Sequence, residues 1–185
     1  SVLADLLNWF ERDGRTAAAR GAHVVSSELR FGGDGSVGLP LADGRRLAVH
    51  GSVDRIDRRR TGELVVMDHK TGSDLNFKHI AADDPTEGAT KFQLPAYAAA
   101  AQALFPDPDR PGASVLAEYD FFGKGNYERY GYGFDDSVWS RVADDLGHLV
   151  DGIESGLVPA TPDFPKWEFR IGCHYCQPDG LGVAE

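Results

Sequence analysis

The apolar positions of this chain change period several times, and each change marks an element. Leu3, Leu6, Leu7 and Phe10 recur at three- and four-residue steps, the stripe of an amphipathic helix over residues 1–10. Residues 24–31 (VVSSELRF) predict a strand, closed by a Gly-rich turn at 32–35. Residues 47–53 (LAVHGSV) form a looser apolar segment. Residues 63–67 (ELVVM) are a short, nearly all-apolar run that fits a strand buried on both faces of a sheet. Residues 74–88 are polar, include Asp83-Asp84-Pro85, and read as a loop. An Ala-rich helix follows over 90–104, with Thr90 as its cap and Pro95 early enough to be tolerated. The turn-rich stretch 106–112 leads to two aromatic-rich strands, 115–122 and 127–134, around Gly123-Lys124-Gly125-Asn126. A last amphipathic helix, 136–156, carries Val138, Val142, Leu146 and Leu149 on one stripe.

The stretch from 51 to 70 holds the candidate chemistry. Arg60, Thr61 and Gly62 supply a three-residue hairpin loop, with a glycine able to take a positive φ. That loop sets Arg59 opposite Glu63, Ile56 opposite Val66 and Asp54 opposite Asp68. The two aspartates then share a face, with Cβ atoms roughly 4.5–5.5 Å apart, a spacing at which like charges destabilise a sheet unless a cation sits between them. Side chains alternate along a strand, so Lys70 joins Asp68, His69 points away, and Asp57 falls on the face opposite Asp54. A one-residue slip would reverse the roles of Asp54 and Asp57. On this hairpin alone, the alternative is a chance pair of acids with an ordinary exposed lysine.

Composition adds limits. At 185 residues the chain is long enough for one domain with a real core. It shows no apolar run of transmembrane length and no secretory layout at its start, so a soluble, non-exported chain is expected. With 29 acidic and 19 basic residues its net charge is −10, which argues against free-standing affinity for phosphate backbones. Two cysteines, Cys173 and Cys176, are too few and too close for a disulfide framework.

Gly51-Ser52-Val53-Asp54-Arg55-Ile56-Asp57, then Val66-Met67-Asp68-His69-Lys70-Thr71-Gly72, then Gln93-Leu94-Pro95-Ala96-Tyr97, resemble in order and spacing the motifs of the PD-(D/E)XK nuclease superfamily, specifically its RecB-like exonuclease branch. The resemblance spans about residues 28–176. It implies an α/β fold with the restriction-endonuclease-like core, a central mixed sheet flanked by helices. The expected organisation is a single nuclease domain over 1–185, excised from a longer chain, with its core at about 22–156 and a cysteine-containing tail at 157–185.

The same resemblance implies a Mg²⁺- or Mn²⁺-dependent deoxyribonuclease acting as an exonuclease in a helicase-nuclease system for DNA repair and recombination. Its partners would be DNA and a helicase domain or subunit, with no membrane, in a bacterial, nucleoid-associated cytoplasmic setting. Asp54 and Asp68 would ligate the metal, the His69 carbonyl would join them, and Glu28 would support. Lys70, Gln93 and Tyr97 complete the expected catalytic set. Arg55, Arg58 and Tyr97 are expected to meet nucleic acid. Read from the residues alone, the strand tyrosines Tyr119, Tyr127 and Tyr130 are core or edge packing, with stacking on bases as the alternative. The family's upstream helical histidine has no convincing counterpart, and His23 reads as structural.

The pair Cys173 and Cys176 has the spacing of a zinc or iron-sulfur ligand pair. The family's further cluster cysteine would fall at Gly182 and no earlier cysteine exists, so a complete 4Fe-4S cluster is not expected. The alternative to an enzyme is a catalytically silent nuclease fold that binds DNA or scaffolds a partner, for which the acidic charge and the missing histidine argue. An endonuclease is the rival within the enzyme class.

Overall fold

The computed structural model describes residues 2–110, 112–123 and 127–156. The chain divides into two units, Ser1–Asp151 and Gly152–Glu185, and the architecture below is that of the first. Its elements are α1 (Val2–Arg20), β1 (Ala22–Phe31), β2 (Gly38–Pro40), β3 (Arg46–Ala48), β4 (Gly51–Arg59), β5 (Leu64–Lys70), α2 (Gln93–Leu104), β6 (Val115–Phe121), β7 (Arg129–Phe134) and α3 (Asp136–Glu154).

Five strands form one sheet in the order β1-β4-β5-β6-β7. Only β5 and β6 run parallel, and a parallel pair needs a crossover. That crossover is residues 71–92 followed by α2. The result is the expected mixed sheet flanked by helices. The short β2–β3 hairpin, which the periodicity does not announce, stands apart as a two-stranded sheet.

The β4–β5 hairpin forms as predicted. Ile56 pairs with Val66 and Arg55 with Met67, the Arg59 N–H donates to the Glu63 carbonyl at 2.9 Å, and Gly62 takes φ +91°. Leu64, Val65, Val66 and Met67 are all buried, because both faces of this central strand are covered. On one face Leu64 and Val66 join Ala117, Tyr119 and Phe121 of β6, Tyr132 and Phe134 of β7, the alanines of α2, and Val138, Val142 and Leu146 of α3 in the hydrophobic core. Small side chains at positions 98–101 let the α2 backbone lie close to the strands.

The other face is held by charge. Asp120 accepts from Trp9 Nε1 at 2.8 Å, from Arg12 and from Arg129 Nε at 2.8 Å. Asp13 accepts from Arg55 and from Arg129 Nη2. These bonds dock α1, which extends ten residues beyond the predicted helix. They also overturn the expected use of its stripe: Leu3, Leu6, Leu7 and Phe10 are 41–71 % exposed, because the sheet-facing side carries Trp9, Arg12 and Asp13 instead.

The helix termini differ from expectation once. The N-cap of α2 is Phe92, with no side-chain cap. Thr90 spends its hydroxyl on the Glu87 carbonyl at 2.8 Å, so Pro95 falls in the first turn, where a missing N–H is tolerated. For α3, Asp135 Oδ1 accepts the Val138 N–H at 2.9 Å, an ordinary N-cap.

Candidate active site

The expected acids meet where β4 and β5 part. Hydrogen-bonded pairs alternate along an antiparallel ladder, so the series that begins at Arg59 and Glu63 continues through residues 57 and 65, 55 and 67, and then 53 and 69. At that last step the His69 N–H donates to Asp54 Oδ2 at 2.7 Å. A side-chain carboxylate has taken the place of the Val53 carbonyl. The paired ladder ends at Arg55 and Met67, and the splayed strands hold Asp54 against the main chain of the residue that follows Asp68.

Asp68 is 4 % exposed. Its Oδ1 accepts from Gln93 Nε2 at 3.0 Å and from the Tyr97 hydroxyl at 3.3 Å. The Gln93 amide also donates to the Tyr97 oxygen at 2.8 Å, so one turn of α2 presents both donors as a unit. Lys70 folds back along β5 until its Nζ lies 2.5 Å from Asp68 Oδ2 and 3.5 Å from Gln93 Oε1. Lys70 is the partner of this buried oxygen, a charge-assisted contact.

Burial raises the Asp68 carboxyl above its ordinary range. Lys70 opposes that shift and the Asp54 charge adds to it. Burial, with the neighbouring Asp68 and Asp54 charges, likewise pushes the Tyr97 phenol up to about 12. The phenol therefore stays protonated and donates.

These residues fit a hard divalent cation. Asp68 Oδ2 is buried and meets only the Lys70 ammonium among the described residues, and Asp54 uses one oxygen on His69, leaving its other as a donor. Magnesium commonly takes one or two carboxylates and completes its shell with water and phosphate. Glu28 does not complete a cage of acids. It stands in register opposite Asp54, between the pairs Ser27 with Arg55 and Leu29 with Val53, with φ +51° and an exposed side chain. Among the described residues no three His, Cys, Asp or Glu side chains converge to hold a metal.

The predicted nucleic-acid arginines do not join the site. Arg55 forks onto Asp57 (2.7 and 2.8 Å) and bonds Asp13 on the face away from α2. Arg58 donates to the Phe105 carbonyl at 2.7 Å, closing the end of α2, and lies 3.4 Å from Asp107. The imidazole of His69 packs edge-on to Trp9 at 5.1 Å, so its side chain points away from Lys70 as alternation requires.

Of the three strand tyrosines, Tyr119 is 1 % exposed, as the packing reading has it and base stacking does not. Tyr130 donates to Asp74 at 2.8 Å and Tyr127 to Asp5 at 3.3 Å. Tyr119 instead belongs to the site in a way the sequence does not show. It sits beside Asp68 in the parallel register, with Lys70 Nζ 5.5 Å from the centre of its ring. The signal lies only in the β5–β6 register. Cys173, Cys176 and Gly182 lie outside the described residues.

The sequence model of the PD-(D/E)XK nuclease superfamily matches residues 2–179. The chain belongs to that superfamily, whose members generally use divalent metals such as Mg²⁺. A solved structure described as "Crystal structure of SSO0001" is similar over 77 % of this chain, at 17 % identity and a TM-score of 0.34. The chain spans 57 % of the length of that structure. No helix among the described residues is long and apolar enough to cross a membrane.

Proposed function

We propose that this chain hydrolyses phosphodiester bonds in DNA with Mg²⁺ or Mn²⁺, as the exonuclease module of a helicase-nuclease that acts in repair and recombination. The observation that carries the reading is the convergence, where β4 and β5 part, of the buried Asp68 carboxylate, the Lys70 ammonium against its Oδ2 and the anchored carboxylate of Asp54. Asp54 and Asp68 would hold the cation, with the His69 carbonyl and, farther out, Glu28 as supports. When bound, a divalent cation lowers the pKa of a water and polarises a phosphate.

The protein's own residues do the rest. Gln93 and Tyr97 fix Oδ1 of Asp68, so its other oxygen keeps one orientation. Lys70 is held within reach of the space in front of both acids, where its ammonium can orient an attacking water or stabilise charge developing on a phosphoryl oxygen. The acidic chain offers little general attraction to a phosphate backbone, and Arg55 and Arg58 are already engaged. A helicase partner that delivers the substrate would supply the attraction that the acidic chain lacks. A silent scaffold would share the acidic charge, and the gathering of Asp54, Asp68, Lys70, Gln93 and Tyr97 in one place is what favours the enzyme over it.

The test is cleavage of linear and circular DNA in Mg²⁺ and Mn²⁺. Degradation of the linear form alone supports an exonuclease, and cutting of the circle would make the protein an endonuclease. Lys70→Ala should lower the rate by about a hundredfold or more. Absence of both cleavage and Mn²⁺ binding would establish the scaffold.

A further inference from the structure

Lys70 lies against Asp68, Gln93 and Tyr119, and the first two are shared. Asp68 Oδ2 is the oxygen offered to the cation, and Gln93 is already spent on Asp68 and Tyr97. With Asp68 engaged by a divalent cation, the ammonium loses its anionic partner and faces a like charge. What remains is the face of Tyr119, 5.5 Å from Nζ to ring centre, within the range over which an aromatic face attracts an ammonium.

That ring cannot turn away. Tyr119 is buried in the middle of β6, a strand paired on both sides through the β5 and β7 ladders. Phe77 meets it edge-on at 4.7 Å, and Phe77 also leans on Phe121 at 5.3 Å, so the loop between β5 and α2 packs against the ring.

Resting on the nuclease reading, we propose that Tyr119 is a positioning residue: its ring face holds the Lys70 ammonium at the site when Asp68 is committed to the metal. The property used is the aromatic face, not the hydroxyl. Tyr119→Phe therefore preserves it, and Tyr119→Leu removes it while keeping an apolar core.

Two readouts test this on the whole chain. The first is independent of catalysis: the ε-CH₂ resonances of Lys70, assigned by their loss in Lys70→Arg, should be shifted upfield by the ring in wild type and Tyr119→Phe. In Tyr119→Leu they should move to the position of exposed lysines. The second is kinetic. Tyr119→Leu should lower kcat about threefold to thirtyfold with KM little changed, the span expected of one cation–π contact, whereas Tyr119→Phe should stay within about twofold.

In a Lys70→Ala background, Tyr119→Leu should cost nothing further. A fluorinated phenylalanine at 119, which keeps shape but weakens the negative ring face, should fall between the Phe and Leu variants and replaces Leu if that variant does not fold. The proposal is overturned if the Lys70 signals are unshifted in wild type, if the Phe variant falls as far as the Leu variant, or if the Leu substitution costs as much without Lys70. Should wild type prove unable to cleave, the nuclease reading fails while the resonance shift still decides whether Tyr119 holds Lys70.

Discussion

The Asp54 carboxylate accepts the main-chain N–H of His69 at 2.7 Å, so the separation of the two site acids is fixed by backbone rather than by side-chain packing. One oxygen of Asp54 stabilises the splay of β4 from β5, and the other is the one the proposed function would give to a cation. This double use makes the fold and the chemistry separable by mutation.

Asparagine at 54 keeps an oxygen for the His69 N–H but loses the charge. Asp54→Asn should therefore unfold at a temperature close to that of wild type, yet lose Mn²⁺ binding in a calorimetric titration and most Mg²⁺-dependent cleavage. Asp54→Ala should lose stability as well, by about 1–3 kcal/mol for the stranded amide. Tight Mn²⁺ binding by the Asn variant would remove Asp54 from the metal site.

Burial raises the Asp68 carboxyl, so the folded state favours its protonated form. Its contribution to stability is present below the ordinary carboxylate range and is lost as pH rises through the raised value. In chelator, Asp68→Asn should be at least as stable as wild type at neutral pH, with the difference shrinking toward acid. Adding Mg²⁺ should stabilise wild type and leave the variant unmoved. Urea unfolding with and without EDTA, from acid to neutral pH, measures both effects.

Gln93 donates to Asp68 and to Tyr97 and accepts from Lys70. Partners that orient metal ligands are commonly worth about 10–100-fold, and Gln93→Ala should lower activity within that range. Tyr97→Phe should cost less, because Gln93 still reaches Asp68. Equal loss in the two variants would show that the phenol does more than donate one hydrogen bond.

Asp120 is fully buried on the α1 face. Burial alone would raise its carboxyl, but hydrogen bonds from Arg129 and Trp9 and the charges of Arg129 and Arg12 outweigh it, so the net shift is downward. Its stabilising contribution is present above the unfolded value and is lost as pH falls through the depressed folded value. Asp120→Ala removes the acid shared by Trp9, Arg12 and Arg129 and leaves Arg129 only Asp13 and Glu118, so it should cost about 3 kcal/mol, with a red-shifted Trp9 emission as α1 comes away. An unchanged denaturation midpoint would contradict this account of how the helix is held.

Arg58 closes the end of α2 through the Phe105 carbonyl. Arg58→Ala should lower stability by about 1 kcal/mol while leaving the salt dependence of DNA binding as it was. A phosphate-contacting arginine would instead reduce that slope by about one. Binding isotherms at several salt concentrations distinguish the two roles.

Much of the site is legible in the sequence because it lies within one hairpin. Loop length fixes register, register fixes which residues face each other, and the order of Asp54, Asp68, Lys70, Gln93 and Tyr97 matches a family pattern. The α1 stripe misleads because apolar spacing reports which side of a helix is greasy, not which side is buried. There, four apolar residues lose to a handful of polar contacts whose partners lie far along the chain, on β6 and β7. Arg55 and Arg58 mislead for the same reason: a basic residue next to a motif carries no mark of the acid or carbonyl that already holds it.

By itself the sequence determined the β4–β5 hairpin through its loop length and turn chemistry, while the mixed sheet and the candidate roles of Asp54, Asp68 and Lys70 came from the order of motifs shared with the nuclease superfamily. Only the tertiary structure decided that Asp54 replaces a ladder carbonyl, that Asp68 Oδ2 meets Lys70, and that a buried Tyr119 lies under Lys70. Those relationships depend on where β4 and β5 separate and on how β6 lies alongside β5, and register between strands distant in sequence is a product of packing, not of local pattern.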